Sequence, residues 1–167
     1  MKQKIPKTNT KYILIKNSKI HGKGIYAKKN IKKGTKIIEY IGEIISKDEG
    51  YKRAGDQYKL SKKNKNLGAV YVFELNKKYD LDGSFKYNLA RFINHSCNPN
   101  SKYKQKGLRI WIVAKNNIKK GEEISYDYGY DLKEYKNHKC KCGSKKCIGY
   151  IIGKNFKKDL KKLINKN

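Results

Sequence analysis

Four cysteines and a histidine carry the most reactive chemistry in this sequence. CKCGSKKC sets Cys140, Cys142 and Cys147 in a C-x-C-x4-C array with a glycine at the bend. Thiols this close make poor disulfide partners for one another, because a disulfide demands a particular Cα separation and torsion. They suit three corners of a tetrahedral zinc site, which needs a fourth ligand. Cys97, the other cysteine of the chain, supplies it in one reading; His138, two residues before Cys140, supplies it in the other. Cys97 lies in RFINHSCNPN (Arg91–Asn100), two residues from His95, so a nucleophile beside its base is a further reading. A nucleophile also needs an oxyanion-stabilising device, and the neighbouring sequence offers none.

The elements that must position these residues read as short strands broken by turns. YILIK (Tyr12–Lys16), KIIEYIGEII (Lys36–Ile45), AVYVFEL (Ala69–Leu75), RIWIVA (Arg109–Ala114) and EISYDY (Glu123–Tyr128) are β-rich, with Gly34, Gly42, Asn116-Asn117 and Lys120-Gly121 as breaks. Ser46-Lys47-Asp48-Glu49 fits a capping box and predicts a short helix running toward Arg53, with a polar loop around Lys62–Asn66. Phe156, Leu160, Leu163 and Ile164 recur at helical spacing and predict a C-terminal amphipathic helix with a lysine-covered outer face. A chain of 167 residues without a long linker is expected to form one compact, mainly β domain.

Charge is extreme: 42 Lys and Arg against 14 Asp and Glu give +28. No acid precedes Glu39 and only Asp159 follows Glu134, so both ends are lysine-rich while the middle is nearly balanced. Such ends are an electrostatic footprint for a polyanion; biased composition, with only Arg53, Arg91 and Arg109 as arginines, is the competing explanation. No apolar run approaches the roughly 18 residues of a spanning helix. The opening MKQKIPKTNTK lacks an apolar leader, so an intracellular, reducing location is expected, with no membrane association and no secretion.

With these residues assembled, the chain resembles the SET-domain protein lysine methyltransferases followed by their cysteine-rich post-SET segment, and looks most like compact stand-alone, histone methyltransferase-like members. The resemblance covers about Tyr12 to Ile152. It rests on HGKGIYA (His21–Ala27), EYIGEII (Glu39–Ile45), YVFEL (Tyr71–Leu75), LDGSFKYNLARFINHSCNPN (Leu81–Asn100), IKKGEEISYDYGY (Ile118–Tyr130) and CKCGSKKCIGYI (Cys140–Ile151). Two positions depart from the family pattern: Lys23 stands where the G-x-G spacer is usually aromatic, and Tyr87 where a glycine usually precedes Asn88.

The resemblance implies a mainly β SET fold of small curved sheets with a pseudoknot-like C-terminal threading, few short helices and a C-terminal post-SET module built on a four-cysteine zinc site. Its segments would be a basic tail over 1–10, a SET domain over 11–133, a post-SET zinc segment over 134–153 and a basic amphipathic helix over 154–167. It implies methyl transfer from S-adenosyl-L-methionine, leaving S-adenosyl-L-homocysteine, to a lysine side chain. Tyr128 would be the main active-site hydroxyl, Tyr40 the second tyrosine at the amine, and Tyr126 the residue that restricts the number of methyl groups. Gly22, Lys23, Gly24, Tyr71, Arg91, Asn94, His95 and Ile152 would hold the cofactor, with His95 an anchor rather than a base, and the segment after Cys147, including Ile151 and Ile152, would close over the adenine and wall the lysine channel. Cys97, Cys140, Cys142 and Cys147 would bind one structural Zn. The implied substrate is a histone tail on nuclear chromatin, or host chromatin or a cytoplasmic target outside a eukaryote, with DNA or nucleosome contact through the lysine-rich ends. The acids of the middle segments would leave the substrate groove less positive than those ends. The rivals are a methyltransferase for a non-histone basic protein and a non-catalytic basic zinc protein binding nucleic acid.

Overall fold

The computed structural model describes residue 8 and residues 11–65, 67–133 and 135–165. The basic tail expected over 1–10 lies outside the described residues except for Thr8, as do the last two residues of the expected C-terminal segment.

Isoleucine builds the core. Ile25, Ile38, Ile110, Ile112 and Ile124 are wholly buried on facing strands, and each such side chain contributes about 1.5–3 kcal/mol on leaving water. The strands are β1 (Ile13–Asn17), β2 (Lys23–Ala27), β3 (Lys36–Tyr40), β4 (Glu43–Ser46), β5 (Val72–Glu74), β6 (Tyr79–Asp82), β7 (Asn94–His95), β8 (Ser101–Lys106), β9 (Arg109–Ala114) and β10 (Glu123–Tyr126). They form three small sheets, ordered β1-β2-β10-β7, β3-β9-β8 and β4-β6-β5. The mainly β architecture expected from the sequence is therefore present.

KIIEYIGEII is two strands because Gly42 divides it; a Cβ there would run into the backbone carbonyl of Asp82. β8, SKYKQK, carries no apolar signature beyond Tyr103 and buries only Ser101, so the sequence pattern does not reveal it. It is held by its hairpin with β9, from Ser101↔Ala114 to Lys106↔Arg109, closed over Gly107 at φ 60°.

The helix that Ser46 starts is longer than its sequence pattern predicts. α1 spans Lys47–Lys63, and the Ser46 side chain accepts the Glu49 N–H at 3.3 Å. Its interior has no apolar stripe; Gly50 is its one buried residue. Ion pairs dock it instead: Lys47 to Asp80 at 2.6 Å, and Arg53 to Glu43 at 2.7 Å and to Asp82 at 2.9 Å. This is why apolar periodicity could not place its end.

Where β10 ends, the chain lies alongside the Asn94–Cys97 stretch. β7 and β10 pair in parallel, with Ser125↔Asn94 and Tyr126↔His95, and the Ser96 N–H donates to the Tyr126 carbonyl at 3.2 Å. This crossing brings two segments about 30 residues apart in sequence into one seam. Beyond it, α2 (Lys157–Ile164) buries Leu160 with Tyr135 and Ile152 in a small second core. Leu163 and Ile164 remain 42% exposed, so the predicted apolar face is only partly covered.

Candidate functional site

A cleft of about 1310 Å³ runs from the Gly22–Lys23 turn, past Tyr71 and Arg91, to Tyr128, Tyr130 and Cys140. Tyr40, Asn94, His95 and Tyr126 also border it. Of the residues expected to meet a cofactor, Gly24 and Ile152 do not line the cleft. Gly24 is buried beneath it, and Ile152 is fully enclosed in the second core while its neighbour Ile151 faces the opening.

Tyrosines make the floor. Tyr40 and Tyr126 are 3% and 6% exposed, and Phe73, which the sequence pattern does not single out, joins them. Its ring lies 4.7 Å from that of Tyr40 and 5.9 Å from that of Tyr126. Tyr128 follows at 5.0 Å from Tyr126 and Tyr130 at 5.7 Å from Tyr128. The Tyr40 hydroxyl donates to the Tyr71 carbonyl at 2.8 Å, and that of Tyr128 to the Ile93 carbonyl at 2.9 Å. Both oxygens thus keep lone pairs for a donor in the cleft. Burial raises the pKa of Tyr40, Tyr126 and Tyr128, with neighbouring phenols adding to it. At neutral pH these groups are phenols that orient a partner, not tyrosinate bases.

Glu123 does not line the cleft itself but is the polar hub behind Asn94. Its carboxylate accepts from Ser18 Oγ at 2.7 Å, Tyr26 Oη at 3.1 Å and Asn94 Nδ2 at 2.8 Å. Asn94 Nδ2 also reaches the carbonyls of Lys23 at 3.2 Å and His21 at 3.3 Å. Gly24 must be glycine for this reason: a Cβ would collide with the Glu123 carboxylate. In the sequence Glu123 is only one position of a longer run, and its partners are too distant along the chain to signal the cluster.

His95 is 2% exposed, and its Nδ1 accepts the Tyr128 N–H at 3.2 Å. Asp127 lies 3.9 Å from Nδ1, but burial outweighs that charge and lowers the imidazole pKa to about 4. The ring is therefore neutral with its Nδ1 lone pair occupied, an anchor for the Tyr128 backbone. Its Nε2 faces Cys97 Sγ at 3.6 Å.

Cys97, Cys140, Cys142 and Cys147 bring their sulfurs within 4.8 Å of one another, with Cys97 and Cys140 at 3.9 Å. Tetrahedral Zn–S bonds of about 2.3 Å place sulfurs roughly 3.8 Å apart, so the group has the size of one ion's coordination sphere. Backbone builds the nest: the Cys140 N–H donates to the Gly149 carbonyl at 2.8 Å, and Gly143 takes φ 65° at the bend. Burial raises the Cys97 and Cys140 pKa values, whereas N–H groups of Cys97 and Ser144 outweigh burial at Cys142 and lower its value. Without an ion these sulfurs do not ionise together; a divalent cation would allow it. Among the described residues His138 is not part of this group. Its ring packs edge-on to Tyr130 at 4.9 Å and Tyr58 at 5.9 Å. The histidine alternative for the fourth ligand is thus disfavoured.

Charge differs from the expectation that central acids would temper the groove. Glu39, Glu43, Glu49, Glu74, Asp80 and Asp82 pair with Lys47, Arg53 and Arg109. Lys23, Lys62, Lys65, Arg91, Lys136, Lys139 and Lys141 line the cleft, and Glu74 is its one carboxylate among the described residues.

Comparison with known proteins agrees with this geometry. The SET-domain profile matches residues 22–129. The chain is 42% identical over 141 residues to the Drosophila melanogaster histone-lysine N-methyltransferase trr, covering 81% of this chain and 6% of that protein. It is 36% identical over 157 residues to the H3 lysine-36 specific histone-lysine N-methyltransferase of Debaryomyces hansenii, covering 91% and 21%. To the H3 lysine-4 specific enzyme of Schizosaccharomyces pombe it is 38% identical over 138 residues, covering 80% and 14%. This chain belongs to the SET-domain family. It spans only a small part of the length of these relatives, from 6% to 21% for the three.

Proposed function

We propose that this chain is a protein-lysine N-methyltransferase acting on a histone tail. The observation that carries the reading is the tyrosine floor, in which two phenols bordering the cleft spend their protons on backbone carbonyls and so remain acceptors. A lysine ammonium has a pKa of about 10.4 and is almost wholly charged at pH 7. Burial against the aromatic floor, in a cleft lined by cations, favours its neutral form. Tyr128 Oη and Tyr40 Oη then accept the amine N–H bonds and aim the nitrogen lone pair, while Tyr126 limits the space left for methyl groups. The work is orientation and exclusion of water rather than covalent catalysis.

S-adenosyl-L-methionine, when bound, would supply an already activated methyl group, with S-adenosyl-L-homocysteine as its product. Residues present suit it: Gly22 turns the backbone at φ 46°, Asn94 and His95 stand at the seam, and the buried Arg91 Nε has no hydrogen-bond partner among the described residues. Gly24 and Ile152 would act from beneath these walls. Cys97, Cys140, Cys142 and Cys147 would hold one structural zinc, tying the segment that carries Ile151 to the seam. The names of the similar proteins support a histone substrate and a place on nuclear chromatin, and the lysine-rich ends support contact with DNA.

Incubation with methyl-labelled S-adenosyl-L-methionine and core histones, free and as nucleosomes, tests the reading. Label on a histone lysine is expected. Label only on non-histone basic proteins would replace the histone assignment, and no label on any protein would remove the enzymatic one.

A further inference from the structure

The cleft carries a charge problem. Among the described residues, seven cationic side chains and one carboxylate line it, and that carboxylate, Glu74, lies 3.4 Å from Lys47. The cations come from both banks: Lys62 in the last turn of α1 and Lys65 just beyond it, and Lys136, Lys139 and Lys141 from the segment before and within the cysteine array. All five are exposed. The banks approach through ring contacts, Tyr58 to His138 at 5.9 Å and His138 to Tyr130 at 4.9 Å. Lys62 rests on the Tyr58 ring at 4.8 Å, so part of this charge is held in place.

Lysines spaced within a Debye length, about 8 Å at physiological salt, add their fields. A free, basic histone tail would approach against that field. Nucleic acid phosphates reverse its sign, since duplex DNA carries one charge per roughly 1.7 Å of axis. We infer that the lysine rim of the cleft is a docking surface for duplex DNA, so that a basic tail is accepted while still beside its DNA rather than as a free chain. The inference rests on the histone reading for its catalytic arm; the binding arm below does not.

The test is the double variant Lys62→Glu/Lys65→Glu, whose sites are exposed and are neither floor tyrosines nor cysteines of the cluster. On mononucleosomes, kcat/KM is expected to fall by roughly tenfold or more, with the log–log salt slope reduced by about 2 for two lost phosphate contacts. On a free tail peptide KM is expected to fall, because two repelling charges are gone. This opposite pair of signs is not produced by a merely structural defect. Affinity for a short DNA duplex, read by fluorescence anisotropy without cofactor, should drop in parallel. Unchanged duplex affinity, or losses on peptide and nucleosome in the same direction, would overturn the DNA assignment. So would wild-type preference for a peptide whose lysine is flanked by acids over nucleosomes, which would give the rim to an acidic protein segment. Wild-type binding of duplex with no methylation of any histone would sink the histone reading and leave the rim in place.

Discussion

Replacing Glu123 by alanine removes the acceptor on which Ser18, Tyr26 and Asn94 converge, with heavy-atom distances of 2.7, 3.1 and 2.8 Å. Ser18 and Tyr26 lie near the surface of the β1–β2 hairpin and regain water. Asn94 is 7% exposed and keeps only its longer contacts to the Lys23 and His21 carbonyls, at 3.2 and 3.3 Å. A hydrogen bond to a charged group contributes about 1.5–3 kcal/mol, and two of the three donors resolvate, so a net loss of about 2 kcal/mol is expected. For a domain of this size that lowers Tm by roughly 4–8 °C. Because Asn94 and the turn at Lys23 border the cleft, the KM for S-adenosyl-L-methionine should rise more than kcat falls. Glu123→Gln, which keeps one acceptor oxygen, should recover part of both effects. Thermal denaturation and steady-state kinetics on the three proteins check this. An alanine variant with wild-type Tm and wild-type cofactor KM would refute the view that the carboxylate ties the hairpin to the seam.

Cys97→Ser should lose bound zinc, measured by elemental analysis of purified protein, together with methyl transfer; full zinc content in that variant would refute the four-sulfur site. Chelation of the wild type should likewise loosen the segment around Cys140–Cys147, seen as faster amide exchange at Cys140, whose N–H bonds to Gly149 at 2.8 Å. Tyr128→Phe should abolish transfer while costing about 1 kcal/mol of stability, the value of one lost hydrogen bond to the Ile93 carbonyl. In alkali, Tyr40, Tyr126 and Tyr128 stay protonated in the fold because their pKa values are raised. The unfolded chain gives up those protons first, so stability should fall as pH climbs above about 10. Tyrosinate absorbance should then rise in two stages, the second coinciding with loss of circular dichroism.

Sequence carried the strands where apolar residues cluster, as in RIWIVA, and the start of α1 where Ser46 offers a side-chain cap. It did not carry β8, whose stability comes from pairing with β9, nor the length of α1, which ion pairs to β4 and β6 hold down. At the site, spacing was enough to bring Cys140, Cys142 and Cys147 together, and the resemblance placed Tyr40, Tyr126 and Tyr128 on one floor. Glu123, Phe73 and the choice of Ile151 over Ile152 at the cleft depend on which way side chains turn after the chain crosses itself. The charge of the cleft escapes the sequence for a related reason: acids near in sequence to the site are spent in space on Lys47, Arg53 and Arg109.

On this reading the cleft places a lysine amine against a methyl donor. Tandem mass spectrometry of histones incubated with the protein and S-adenosyl-L-methionine, wild type beside Tyr128→Phe, tests it most directly. A lysine carrying one added methyl group is expected with the wild type and none with the variant. Unmodified histones with the wild type, or equal modification by the variant, would contradict it.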